Sequence, residues 1–264
     1  MAYGDSSIWV GYDDREVLPY AVARHSIKQW TERTIHTHGV VLQDLIDERL
    51  YTRPIEKRRV ERDGGSVEVL WDTISEAPMS TQFAISRFFI LHLAYRMHDR
   101  SDGWALFVDC DVLLRNFVDD IFAFAHRNND KALLCVPHNH NPTEDTKKDA
   151  QPQARVNDPR YPGTYSRKNW SSVMLLNRRH PANDNLTIKL LNTVPGRDLH
   201  RFCWLRDEDI GFLDVKWNHL VGVEGAQSPD PHLVHFTNGG PWLPQYADVE
   251  YADEWRKAYR SYVR

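Results

Sequence analysis

Asp109-Cys110-Asp111 directly follows Trp104–Val108 (WALFV), an unbroken apolar run of strand length. Side chains alternate along a strand, so two carboxylates spaced two apart face the same way while Cys110 turns to the interior. Converging carboxylates at a strand's end repel each other unless positive charge lies between them. A divalent cation that also grips a diphosphate meets that need with carboxylate and phosphate oxygens together. A solvated acidic turn is the other reading, and the tripeptide alone does not separate the two. Elsewhere, His138-Asn139-His140 carries two imidazoles but no Cys or third His at zinc-site spacing, which favours a loop. There is no GxxxxGK[ST] phosphate loop. Trp170, Trp217 and Trp242 could stack on a sugar or base, although large aromatics most often fill core.

These residues need a scaffold. Residues 7–11 (SIWVG) predict a strand, followed by the acidic turn Tyr12-Asp13-Asp14, a helix over 17–31 and a strand over 37–42. Strand, acidic loop, helix, strand is the opening of a parallel α/β sheet, whose ligands sit at the carboxyl ends of the strands. Residues 43–76 are less regular; the run 53–62 (RPIEKRRVER) reads as a solvated face or flexible loop, its cations diluted by Glu56 and Glu61. An inward-facing helix is expected over 80–97 and a central strand, buried on both faces, over 104–108. A helix over 117–124 and strands over 131–136, 171–176 and 233–236 follow, with helices near 186–192 and over 250–262. Residues 138–168 are polar and rich in Pro, Asn and Asp, which suits a binding loop or lid. The expectation is one domain over 1–264.

Composition narrows the classes. A net charge of −4 argues against a general polyanion binder. Three cysteines without a CxxC pair favour a reducing compartment, the opening MAYGDSSIWVGYDD lacks the basic-then-apolar pattern expected of a secretory signal, and no apolar run reaches membrane length, so a cytoplasmic protein is expected.

At this point the motifs acquire a family. VDCDVLL (108–114) resembles the Asp-X-Asp motif of nucleotide-sugar glycosyltransferases with the GT-A fold. SRFFILHL (86–93) resembles the Arg-bearing helix of glycosyltransferase family 8, RDEDIG (206–211) its Asp-Gln-Asp segment, and HFTNGGPW (235–242) its C-terminal His-Gly-Pro-Trp segment. GYDDRE (11–16) takes the place of the nucleotide-binding loop, and KNWSSVMLLN (168–177) resembles the strand bearing acceptor- and sugar-facing residues. The ordered set, covering residues 8 to 242, is more specific than any one motif.

The resemblance implies a GT-A, Rossmann-like α/β fold with a mixed, mostly parallel central sheet flanked by helices. It implies a hexosyl- or pentosyltransferase that uses Mn2+ or Mg2+ and retains anomeric configuration. The donor is expected to be a UDP-sugar, and the acceptor a glycan, a small molecule or a modified nucleobase. By position, Tyr12 and Asp13 would contact base and ribose, and Arg87 the donor sugar or its phosphates. Asp109, Asp111 and His235 would bind the metal, with Asp109 also near the ribose. Imidazole beside carboxylates suits manganese better than magnesium; an isolated His235 would read as packed on an edge strand.

Two departures stand out. Gly240 replaces the family's diphosphate-contacting Lys, leaving Lys168, Arg167 or Arg87 to balance the leaving group. Gly239-Gly240 fits a backbone approaching phosphate closely, or else a turn before Pro241. Glu208 replaces the central Gln, where a carboxylate could act as nucleophile or base. Asp209 would then bond sugar hydroxyls, unless the acidic trio is merely a capping turn. Two rival functions share the pattern: a metal-dependent nucleotidyltransferase, and a nucleotide-sugar-binding protein without turnover.

Overall fold

The computed structural model describes residues 5–31, 35–62, 65–98, 103–138, 167 and 169–264. Its strands are β1 (Ser7–Gly11), β2 (His36–Val40), β3 (Ile55–Arg62), β4 (Gly65–Asp72), β5 (Ala77–Pro78), β6 (Trp104–Val108), β7 (Val112–Leu114), β8 (Leu133–Cys135), β9 (Val173–Asn177), β10 (Ile210–Phe212), β11 (His219–Leu220) and β12 (Leu233–His235). Its helices are α1 (Val17–Gln29), α2 (Leu42–Asp47), α3 (Phe83–Ser86), α4 (Ile90–His98), α5 (Asp119–Arg127), α6 (Ile188–Leu191), α7 (Gly196–His200) and α8 (Ala252–Tyr262).

Six strands form the main sheet in the order β10-β8-β9-β6-β1-β2, with β9 alone running against the others. This is the mixed, mostly parallel sheet flanked by helices that the sequence predicts. Every residue of β1, β6 and β9 is buried, which is why these strands read as continuous apolar runs rather than alternating ones. Ala23 and Ile27 of α1 join the core over this sheet. Val22 instead meets Leu113, Val234 and Trp255, the second core beneath a small sheet ordered β11-β12-β7. Helix α1 therefore ties the two sheets together, and Ser26 Oγ accepts a hydrogen bond from the Leu114 N–H at 3.1 Å.

Some expectations change. The helix over 80–97 is divided by a 3₁₀ turn, Arg87–Phe89, at which the Arg87 side chain is buried and its Nε donates to the Phe83 carbonyl. Residues 43–76 are more regular than expected, holding α2 and the β3-β4 hairpin. Most hairpin residues are exposed, so their strands carry no apolar alternation to betray them. Arg53 is a correction to the solvated run: it is buried and paired with Asp72 at 2.5 Å. Residues 139–166 and 168 of the expected polar loop lie outside the described residues. Among the described residues no helix is long and apolar enough to cross a membrane.

Candidate functional site

Where β6 ends, three neighbours take over the backbone. The Asp109 N–H donates to the Ser172 carbonyl at 3.0 Å, tying it to the start of β9. Cys110 is fully buried, and its thiol donates to the Glu16 carboxylate at 2.9 Å, as alternation from the strand requires. Burial first, then Glu16, Asp111 and Asp109, push this thiol well above the ordinary cysteine range, so it stays protonated. The Asp111 carbonyl accepts from the Phe236 N–H at 2.9 Å, where β7 pairs antiparallel with β12 and sets Val112 opposite His235. Two sheets thus converge on one point.

At that point His235 Nε2 lies 3.2 Å from Asp111 Oδ1 and 3.9 Å from Asp109 Oδ2. One ligand atom from each of the three residues can be chosen so that all lie within 4.8 Å of one another. His235 is buried, while the carboxylates remain 15–16% exposed, open on one side. The ring is oriented from behind. Asn218 Nδ2 donates to the Asn169 carbonyl at 3.2 Å and to Ser172 Oγ at 3.0 Å, which turns its Oδ1 to His235 Nδ1 at 3.0 Å. An amide oxygen can only accept, so Nδ1 carries the proton and Nε2 faces the two carboxylates. A lone pair aimed at two anions is unfavourable unless a proton or a cation stands between them. Metal-binding histidines typically have their other ring nitrogen held by a partner in this way.

The donor set fits a divalent cation. Bonds of about 2.1 Å place neighbouring ligand atoms about 3–4 Å apart, close to the spacing here. Two hard oxygens and one imidazole nitrogen form a mixed donor set that divalent first-row metals accept, with room for ligand oxygens on the open side.

Arg87 is placed where the sequence expects a functional cation, but it faces inward. Its Nη1 forms an ion pair with Asp109 Oδ1 at 2.8 Å and donates to the Ser171 carbonyl at 3.0 Å, and the guanidinium lies over Phe83 and Phe107. The two oxygens of Asp109 are thereby divided, Oδ1 toward Arg87 and Oδ2 toward His235. Behind Ser171, His200 Nδ1 meets Ser171 Oγ at 2.7 Å. Burial, and secondly the charge of Arg87, lower the His200 pKa to about 3 and keep the ring neutral.

The remaining site expectations fare differently. Asp13 is fully buried, and both of its oxygens are used: Oδ1 accepts from the Arg15 N–H and Nε, each at 2.9 Å, and Oδ2 from Arg15 Nη2 and the Gln82 N–H. Burial alone would raise its pKa, but these donors outweigh it and hold the carboxyl below its ordinary range. Its role in the structure is to lock the β1-α1 turn. Tyr12 is half-buried and packs edge-on against Tyr20. Gly239 has φ +120°, and a Cβ there would meet the Tyr246 ring at 2.5 Å, so a turn against an aromatic already requires glycine. Arg167 pairs with Asp207 and lies over Trp170, while Lys168 is outside the described residues.

Glu208 and Asp209 require a correction. Ile210 aligns with Leu133, Leu133 with Leu176, and Leu176 with Ala105 near the start of β6. The trio therefore precedes β10 at the amino edge of the sheet, the opposite edge from Asp109. Asp209 is held by the Arg206 N–H and Nε, each at 3.2 Å, and Glu208 pairs with Arg206 at 2.6 Å. This is the capping turn that was the alternative reading.

Comparison with known proteins now has a geometry to explain. No family model matches the chain. Protein CDI of Arabidopsis thaliana is 37% identical over 260 residues, covering 97% of this chain and 86% of that protein. The chain belongs to the same family as Protein CDI. Among solved structures, the bifunctional glycosyltransferase WbbM matches with a TM-score of 0.57 at 12% identity, over 97% of this chain and 50% of that one. The galactosyltransferase LgtC, solved with donor and acceptor sugar analogues, matches with a TM-score of 0.52 at 12% identity, over 97% and 95% of the two chains. GlyE of Streptococcus pneumoniae matches with a TM-score of 0.54 at 12% identity, over 97% and 60%. At such identities the likeness is one of fold, and that fold is GT-A-like. Family 8 membership in particular is not part of this finding.

Sequence reasoning missed Asn218, Ser171, His200 and Glu16, the residues behind the site. Polar residues bordering strands were the only signal, and many such residues are ordinary turn formers.

Proposed function

We propose that this chain is a metal-dependent glycosyltransferase. It moves a sugar, hexose or pentose, from a nucleotide-diphosphate donor, expected to be a UDP-sugar, to an acceptor hydroxyl. The observation that carries the reading is the convergence of Asp109, Asp111 and His235 at the carboxyl edge of the main sheet, the edge at which α/β sheets bind ligands. These three residues would hold Mn2+, or Mg2+. When bound there, the ion supplies positive charge against the negative charge that grows on the departing nucleoside diphosphate.

The protein's own residues do the rest. Arg87 fixes the orientation of Asp109 and balances its charge from beneath. Asn218 holds the His235 ring with Nε2 forward. The walls of β6, β9 and β12 exclude water behind the reacting groups, leaving one open face on which an acceptor hydroxyl can be oriented. Glu208 and Asp209, at the other edge, have no part in this scheme, so a double displacement through either carboxylate is not proposed. Retention of configuration rests on the family resemblance alone.

The test is a panel of UDP- and GDP-sugars incubated with manganese and with candidate acceptors: glycans, small molecules and modified nucleobases. Release of nucleoside diphosphate is followed with and without chelator. Chelator-sensitive release that is lost in Asp111→Ala supports the proposal. Pyrophosphate release would reassign the chain to nucleotidyl transfer.

A further inference from the structure

A groove of about 940 Å³ lies between α1 and the edge strand β2. Val17, Tyr20, Ala21, Arg24, His25 and Lys28 line it, and their spacing of three, four, seven, eight and eleven residues places them on one face of α1. Residues 35–37 form the opposite wall. Tyr12 packs on Tyr20 at 5.0 Å toward one end, and Tyr262 on His25 at 5.9 Å toward the other. None of the metal-cluster residues takes part.

The charge of this groove opposes that of the chain. Net charge is −4, yet among the described residues the lining holds Arg24 and Lys28, two histidines, His25 and His36, and no carboxylate. The two ends also differ. Val17, Tyr20 and Ala21 form an apolar and aromatic end, while Arg24 and Lys28, with His25 between them, make the other end cationic. The α1 face between them spans about 16 Å. Arg24 is already positioned: its guanidinium donates to the Thr37 carbonyl at 3.2 Å and lies over the Tyr20 ring at 5.6 Å, while a fork of five N–H groups leaves donors for a ligand. Covering a free carbonyl of an edge strand would account for Arg24. It does not account for Lys28, the two histidines or the aromatic end.

We propose that this groove is a second ligand site, for an organic phosphate. The flat or apolar body would lie on Val17 and Tyr20, and the phosphate would meet Arg24 and Lys28, with His25 and His36 beside it. The volume suits a small molecule of nucleotide size. This inference is independent of the metal site.

The experiment titrates phenyl phosphate into the full chain in chelator-containing buffer, followed by calorimetry and ligand-observed NMR, with inorganic phosphate and a single-stranded oligonucleotide in parallel. Saturable binding of phenyl phosphate, tighter than inorganic phosphate, is expected. Arg24→Gln with Lys28→Gln should weaken it at least about tenfold, and Tyr20→Leu should remove the preference for the phenyl ester. Asp111→Ala should bind as the wild type, and UDP with manganese in place of chelator should not displace phenyl phosphate, which separates this site from the donor site. Because Arg24 and Lys28 are exposed, these variants should unfold at the wild-type midpoint. Wild-type binding by the double variant, equal affinity for inorganic phosphate, or no saturable binding overturns the proposal. An oligonucleotide bound more tightly than phenyl phosphate would overturn the small-molecule class.

Discussion

Asp109-Cys110-Asp111 and Asp207-Glu208-Asp209 are acidic tripeptides that adjoin strands of one sheet, the first at the end of β6 and the second at the start of β10. In the second, Asp207 pairs with Arg167, but Glu208 and Asp209 are neutralised locally, since Arg206 engages both from the same turn. The first is served from a distance: Arg87 comes from the turn between α3 and α4, His235 from β12 and Ser172 from the start of β9. A carboxylate paired with its sequence neighbour closes a turn. Carboxylates brought together by three separate elements, one face left open, form a candidate site. The edge of the sheet, rather than the acidity of the segment, is what distinguishes them.

The sharpest way to break this comparison is to remove one carboxylate from each tripeptide. Asp111→Ala should lower chelator-sensitive donor turnover by about 10²–10³-fold or more, the scale of losing one transition-state charge stabiliser, whereas Asp209→Asn should leave it near wild type. Equal losses in both would place catalysis elsewhere. Next comes the buried counterion. Arg87→Met leaves Asp109 without its partner beneath the sheet and should destabilise the fold by about 3–5 kcal/mol in chemical denaturation. Arg206→Met, at an exposed turn, should leave the denaturation midpoint unmoved.

Much of this contrast was legible beforehand. β1 and β6 could be placed to the residue, because strands buried on both faces are written as unbroken apolar runs ending in polar turns. Asp109, Asp111 and His235 followed from the motif order. What the sequence did not hold was registry: RDEDIG matches its family segment by composition, but only the pairing of β10 with β8 shows that it lies at the wrong edge. The partners of Asp13 were hidden for a related reason, since nothing in GYDDRE says that Arg15 will engage both carboxylate oxygens.

Smaller effects sharpen the picture. Asn218→Leu removes the acceptor that fixes the His235 tautomer and should weaken manganese affinity about 10–100-fold, measured by calorimetry, with the His235 ring still in place. His200 supplies a pH signature. Its folded pKa of about 3 lies below the ordinary histidine value of 6.5, so the unfolded chain binds the proton first as pH falls. The stability it contributes is complete above pH 6.5 and declines between 6.5 and about 3, with a slope of up to about 1.4 kcal/mol per pH unit. Carboxylates add their own slope in the lower part of that window. The difference between wild type and His200→Gln in urea unfolding at stepped pH therefore isolates the histidine, and parallel curves would show that the ring takes up its proton as readily in the folded state as in the unfolded one.

The smallest expected effect discriminates best between the two tripeptides. Glu208→Gln restores the residue that the family resemblance places at the centre of the donor site. If Glu208 acted there as nucleophile or base, neutralising it would lower turnover by about 10²–10⁴-fold. Its exposed position at the amino edge, paired with Arg206, predicts instead a change smaller than about twofold in donor turnover, because that charge is screened by water and remote from the open face of the metal cluster. The same variant assayed for manganese affinity should also be unchanged. A loss in turnover with affinity retained would bring the trio back to the reacting centre and would mean that the chain rearranges around β10 when donor binds.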